Sequence, residues 1–237
     1  MAGLTWHSDT PADAYRITVA GWVRVCLRGL CLGCVVFGGL LILLLVRMIE
    51  RPICGLGRPV TPHITQTVCR MAFVILGMKR HVFGTPMRER GAVVANHVSW
   101  LDIFALNSVK RFYFVSKSEV ARWPGIGWLA RATGTVFIDR DPKRAKAQTQ
   151  QFHDRLLAGH KLLFFPEGTS TDGPQVLAFK TTLFEAFMTP ELRDNLHIQP
   201  VTLHYTAPQG QAANFYGWWG DMDFGSHMLK TLAAYPQ

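Results

Sequence analysis

The sequence predicts an α/β protein: a mixed, mostly parallel sheet flanked by helices, with an N-terminal membrane-associated helical hairpin. Three observations predict it. Residues 29–46, GLCLGCVVFGGLLILLLV, form an uncharged apolar run of membrane length. From about residue 81, short apolar runs alternate with stretches of helical pattern, the rhythm of strands joined through helices. Charged residues make up only 17% of a chain that is 49% hydrophobic, below the quarter usual in soluble domains. The expected division is a membrane-anchoring helical region over 1–80 and an α/β domain over 81–237, long enough to bury a core.

The hairpin comes first. Arg24 and Arg28 precede the apolar run at helical spacing, and Arg47, Glu50 and Arg51 follow it. No small-residue cleavage site follows, so the run reads as an anchor rather than a signal peptide. Pro52, Gly55, Gly57 and Pro59 are expected to break the helix. A second run, VCRMAFVILGM over 68–78, is shorter and carries Arg70, so it packs back on the first helix or lies in the membrane interface. A hairpin dipping into one leaflet accounts for both runs as well as a spanning helix does. Residues 1–80 hold nine Lys/Arg against Asp9, Asp13 and Glu50, so 9 − 3 = +6 of the net charge of +9 lies there. These charges flank apolar runs instead of covering a polar face, which points to membrane lipid and away from nucleic acid. All five cysteines precede residue 70. Cys31 and Cys34 form a lone C-x-x-C inside the apolar run and read as small apolar residues, without metal, on a reducing cytosolic side.

In the second region, strands are expected over 92–96, 111–116, 135–139, 162–166 and 198–205, and helices near 100–108, 117–132, 142–158 and 178–188. Trp218, Trp219 and Phe224 read as core or interface aromatics.

Chemistry concentrates at strand ends, where active sites of α/β sheets lie. VVANHVSWLDIFAL places His97 and Asp102 five residues apart, directly after the first strand. On one regular helix they could not share a face. They meet if His97 sits in the turn and Asp102 one turn into the next helix, with Ser99 as its N-cap. A carboxylate on one imidazole nitrogen leaves the other free as a base. A buried histidine satisfied by a nearby acid is the alternative. In GTVFIDR, Arg140 directly follows a strand, and Lys143, Arg144 and Lys146 extend a basic cluster suited to a phosphate or to a solvated helix face. In LLFFPEGTSTDG, Pro166 and Gly168 fix a turn that aims Glu167 either at a substrate hydroxyl or at Arg140.

NHVSWLD, GTVFIDR, FPEGTS and IQPVTLHY occur in the order of the four sequence blocks of the glycerolipid acyltransferases, and WPGIGWLARATG between the first two also resembles that family. The resemblance covers roughly residues 65–230. It implies O-acyl transfer from acyl-CoA or acyl-carrier protein to a lysolipid hydroxyl, with no metal or other cofactor, at the cytosolic face of a membrane. His97 resembles the general base and Asp102 its orienting partner. Arg140 resembles the residue that anchors the acceptor phosphate. Asn96, Glu167, Gly168, Thr169 and Ser170 fall with the acceptor site, and Pro200 with the acyl-donor side. The favoured acceptor is 1-acyl-sn-glycerol-3-phosphate. One departure matters: Ser170 stands where the third block commonly has arginine, a version more like the acyltransferases of lyso-ornithine lipid, which is the alternative acceptor. A serine hydrolase is disfavoured because no G-x-S-x-G elbow exists. A non-catalytic membrane scaffold would leave the four ordered blocks unexplained.

Overall fold

In the computed structural model, residues 6–8, 15–139, 145–181, 184, 187 and 196–235 are described. Helices α1 (Val19–Cys54) and α2 (Thr61–Leu76) form the hairpin. Then follow β1 (Gly91–Ala95), α3 (Leu101–Val109), β2 (Tyr113–Lys117), α4 (Ile126–Thr133), β3 (Val136–Ile138), α5 (Ala145–Leu157), β4 (Leu162–Phe164), β5 (His197–Val201) and α6 (Phe224–Ala233). The strands order as β3-β2-β4-β1-β5, and every pairing is parallel. No antiparallel pair occurs among the described residues, so the sheet is wholly parallel there rather than mixed.

β1 shows why the sheet holds. Its five residues are all buried. Ala92 and Val94 pack toward Phe152 and Leu156 of α5, while Val93 and Ala95 pack toward Leu106 of α3. The strand period of two thus sends alternate side chains into two covering layers. Burying each large apolar side chain contributes about 1.5–3 kcal/mol.

The hairpin is not a detached anchor. Val25, Leu32, Ala72 and Leu76 share one core with Trp100, Leu101, Leu232 and Ala233. A methyl at Gly39 would collide with Val68, so that glycine sets the close approach of α1 and α2. Helix α1 is long and apolar enough to cross a membrane, yet only 17% of its most apolar window is buried. Leu41, Leu45, Met48 and Ile49 stand exposed on it.

Three expectations change. The apolar run 29–46 lies inside a helix reaching from Val19 to Cys54. Pro52 does not stop it, because proline's fixed φ suits the last turn, and Gly55 closes it with φ +56. The helix expected over 117–132 is two pieces, a 3-10 turn over Ser118–Arg122 and α4, split at Trp123-Pro124-Gly125. The strand expected over 198–205 ends at Val201. Of the helix expected over 178–188, residues 178–180 are not helical, Thr181 opens a turn closed by the Phe184 N–H at 2.8 Å, and Phe184 is helical; 182, 183, 185, 186 and 188 lie outside the described residues. Phe184 and Phe187 both pack on Phe164.

Candidate active site

The register of the sheet assembles the site. Val94 of β1 pairs with Phe164 of β4 and with Pro200 of β5. Three residues beyond each partner lie His97, Glu167 and Leu203, so the carboxyl ends of adjacent strands deliver the first and third sequence blocks side by side.

His97 Nδ1 stands 2.7 Å from Oδ2 of Asp102. The same carboxylate oxygen accepts the Val98 N–H at 2.8 Å and the Ser99 N–H at 3.1 Å. Its other oxygen accepts the Tyr205 hydroxyl at 2.8 Å. Asp102 is wholly buried. The other contacts of this carboxylate are all bonds it accepts, an arrangement that suits a hydrogen on Nδ1 of His97 and leaves Nε2 facing outward as the candidate base. The His97 side chain keeps 21% of its surface exposed, enough for Nε2 to meet a substrate. Its ring stacks on Phe165 at 4.0 Å, which fixes the imidazole plane. Burial first, and then the contact with Asp102, push the Tyr205 pKa far up, so Tyr205 remains a donor.

The expected N-cap at Ser99 is weak, since its Oγ accepts the Leu101 N–H only at 3.4 Å. Asp102, in the first turn of α3, reaches back to the loop N–H groups in its place.

Glu167 is buried and binds the loops together. Its oxygens accept the His97 N–H at 3.3 Å and the Leu177 N–H at 2.9 Å. Burial outweighs these two bonds and raises its pKa. The Thr171 N–H donates to the His97 carbonyl at 2.9 Å. The backbone at His97 is therefore held on both sides by the third block.

The other sequence-derived site residues divide. Asn96 clamps the chain beyond β5: its Nδ2 donates to the Leu203 carbonyl at 3.0 Å and its Oδ1 accepts the Leu203 N–H at 2.7 Å. Gly168 adopts φ +70, and a Cβ there would stand 2.7 Å from Nζ of Lys180, so the lysine crosses directly over this glycine. Ser170 is buried and Thr169 half-buried in the same turn. Pro200 is exposed on the edge strand β5, where a missing N–H is harmless. Arg140, Lys143 and Arg144 lie outside the described residues, as does the side chain of Lys146. Sequence reasoning missed Tyr205 and Lys180. Tyr205 closes the fourth block, and Lys180 follows the third by a few residues; their block positions were the available signal.

The family model described as Acyltransferase matches residues 80–204. This chain belongs to the acyltransferase family. It is 57% identical over 234 residues to the lyso-ornithine lipid O-acyltransferase of Rhodobacter capsulatus, covering 99% of this chain and 85% of that protein. It is 38% identical over 173 residues to the protein of the same name from Rhizobium meliloti, covering 69% of this chain and 59% of that one. The 1-acyl-sn-glycerol-3-phosphate acyltransferase of Neisseria meningitidis is 40% identical over 103 residues, 43% of this chain and 40% of that protein. Among solved structures, the 1-acyl-sn-glycerophosphate (LPA) acyltransferase of Thermotoga maritima shares the fold, with a TM-score of 0.54 and 21% identity over 78% of this chain and 83% of that one. The protein is an O-acyltransferase enzyme, and its long apolar N-terminal helix fits membrane association.

Proposed function

We propose that the enzyme moves an acyl group from a thioester donor, acyl-CoA or acyl-carrier protein, to the free hydroxyl of lyso-ornithine lipid. The observation that carries the chemistry is the 2.7 Å contact of His97 Nδ1 with a buried Asp102 at the end of β1. Nε2 of His97 takes the proton of the acceptor hydroxyl as that oxygen attacks the thioester carbonyl. The tetrahedral intermediate collapses, the C–S bond breaks, and His97 returns the proton to the departing sulfur. No acyl-enzyme forms, since the base acts on the acceptor. Asp102 and Phe165 hold the imidazole's tautomer and plane.

The acceptor moves from 1-acyl-sn-glycerol-3-phosphate, favoured by sequence, to the alternative. The whole-length identity with the Rhodobacter capsulatus protein supports this. So does the third block. Ser170 brings no cation, and Oδ1 of Asp172 is buried without a hydrogen bond among the described residues. An unpaired carboxylate oxygen repels a phosphate and suits an ammonium. Lys180 on the same loop supplies the opposite charge. Ornithine linked through its α-amine keeps both an ammonium and a carboxylate, so Asp172 and Lys180 are complementary to it.

The packing of α1 supports a placement in the membrane. It packs on the domain near Gly21, where Ala233 is its neighbour, and through Arg24 and Arg28, which donate to the carbonyls of Ala233, Leu232 and Ala234; near Gly39 it meets Val68 of α2. A helix held along its length cannot cross a bilayer without dragging α2 and α6 into lipid. This supports a hairpin that dips into one leaflet; the cytoplasmic side for the domain is part of the same proposal. The test is turnover by purified protein of lyso-ornithine lipid and of 1-acyl-sn-glycerol-3-phosphate, with both thioester donors. Lyso-ornithine lipid is expected to react faster; a preference for the phosphate acceptor overturns the assignment.

A further inference from the structure

At the opposite end of the sheet from His97 lies a second feature that acyl transfer does not use. A cleft of about 790 Å³ opens between the C-terminal part of α1 and α4, lined by Arg47, Arg51, Arg58, Arg131 and Arg155. Leu40 and Leu44 of α1 form an apolar wall, and the exposed indole of Trp128 stands at the rim. Tyr113, which opens β2, and Gly134, which precedes β3, place the cleft at the amino ends of the strands.

The cationic charge there is not balanced by the protein. Among the described residues the one ion pair in the group joins Arg47 to Glu50 at 3.1 Å. That carboxylate is already shared, because it accepts the Val60 and Thr61 N–H groups and the Thr61 hydroxyl at 2.7, 3.1 and 2.6 Å. Arg58 and Arg155 rest on carbonyls instead, of Ala132 at 2.8 Å and of Gly134 at 2.6 Å. The Nε of each is buried and finds no acceptor among the described residues. Arg155 is only 9% exposed, and its guanidinium sits 4.6 Å from the centre of the Tyr113 ring. Burial first, and then neighbouring Arg58, lower its pKa to about 10, so it stays charged at neutral pH. Burial and Arg47 lower that of Arg58 as well. Desolvated guanidiniums that repel one another, with orphan donors, destabilise a fold unless something answers them. A bound anion in the cleft answers the repulsion.

The walls say which kind of anion. α1 is apolar from Gly29 to Val46, and Arg47 and Arg51 follow at the level where a bilayer turns polar. Leu40 and Leu44 continue toward the lipid-exposed face of α1, so a chain can run along them while its headgroup meets the arginines. Guanidinium forks match phosphate oxygens bidentately. We propose that this cleft binds the phosphate headgroup of an anionic membrane phospholipid, with an acyl chain against Leu40 and Leu44. Such a lipid is neither acyl donor nor acceptor, and it pins the end of α1 to the domain at a defined depth.

Native mass spectrometry of the full chain in detergent tests this, with equimolar phosphatidylglycerol and phosphatidylcholine. Wild type is expected to retain one phosphatidylglycerol in preference to phosphatidylcholine by about tenfold or more, the scale of a charge-assisted contact. The double variant Arg51→Gln/Arg131→Gln changes only exposed side chains, so it should fold, and should lose most of that preference. A second arm adds inorganic phosphate at the lipid's concentration and is expected to leave the lipid bound. Equal retention of the two lipids, an unchanged preference in the double variant, or displacement by inorganic phosphate would each overturn the proposal. The acceptor assignment does not enter this experiment, so either can fail alone.

Discussion

The two ends of the sheet handle buried charge in opposite ways. At the carboxyl end, Asp102 is answered by His97, two backbone N–H groups and a tyrosine hydroxyl, and Glu167 by two more N–H groups. At the amino end, five arginines line a cleft, and among the described residues the one ion pair there joins Arg47 to Glu50. Around the catalytic base the first end is complete within the protein. A catalytic base must be held in one orientation before substrate arrives, and only intramolecular partners can do that. The second end is complete only with a ligand. A self-satisfied network serves geometry; an unsatisfied one serves binding.

The largest effect should come from the carboxyl end. His97→Ala is expected to lower acyl transfer about 10²–10⁴-fold without loss of membrane binding. Near-normal turnover by that variant would remove the base from the mechanism.

At the amino end the sharpest handle is pH. His160 stacks on Tyr113 at 4.2 Å, and burial first, then Arg155 and Arg58, lower its pKa from 6.5 to about 4. A histidine that binds its proton less well folded than unfolded costs stability as pH falls. Full stability is expected above the unfolded value of 6.5, with a progressive loss down to about 4. The loss is at most about 3 kcal/mol. Melting in detergent at stepped pH should show this slope, and His160→Phe, which keeps a ring on Tyr113, should flatten it. His227, pushed to about 4 by burial and Lys230, leaves a residual slope of the same sign. Anionic phospholipid should also flatten the slope, by answering the arginines. An unaltered slope in His160→Phe would sever the histidine from the cluster.

Tyr205→Phe removes one donor from the Asp102 carboxylate. The expected cost is about 1.5–3 kcal/mol in transition-state stabilisation, roughly ten- to a hundredfold in kcat, with little change in KM. A change confined to KM would assign Tyr205 to substrate binding rather than to positioning Asp102. The smallest effect is expected from Ser170→Arg: a few-fold shift toward phosphate acceptors, read as the ratio of turnover on 1-acyl-sn-glycerol-3-phosphate to that on lyso-ornithine lipid. No shift would mean that Ser170 does not face the headgroup.

Local pattern made part of this legible. β1 was expected over 92–96 and runs Gly91–Ala95, because its apolar run is bounded by polar residues. His97 and Asp102 were found because their spacing spans a single turn. Partners far away in sequence left no local trace. Tyr205 meets Asp102 across 103 residues, and Asn96 meets Leu203 across 107. The full length of α1 was hidden for the same reason. Arg24 and Arg28, read as charges flanking a membrane run, donate to the carbonyls of Ala233, Leu232 and Ala234. The arginine cleft was invisible because its members are scattered from Arg47 to Arg155. The split at Trp123-Pro124-Gly125 is legible in its proline and glycine, which interrupt a helix.

The bonds from Arg24 and Arg28 to the end of α6 also impose an order on biosynthesis. Their acceptors lie more than 200 residues downstream. At a ribosomal rate of about 5–20 residues per second, the hairpin waits on the order of ten seconds or more before those carbonyls exist. During that interval the face of α1 later covered by α6 must be shielded by lipid or a chaperone. The last helix then displaces that cover, so final assembly is a docking step at the bilayer surface, made slow by its long loop closure. Pulse-labelled chains arrested before residue 224 should bind membranes already, yet remain open to protease at the hairpin until α6 is released.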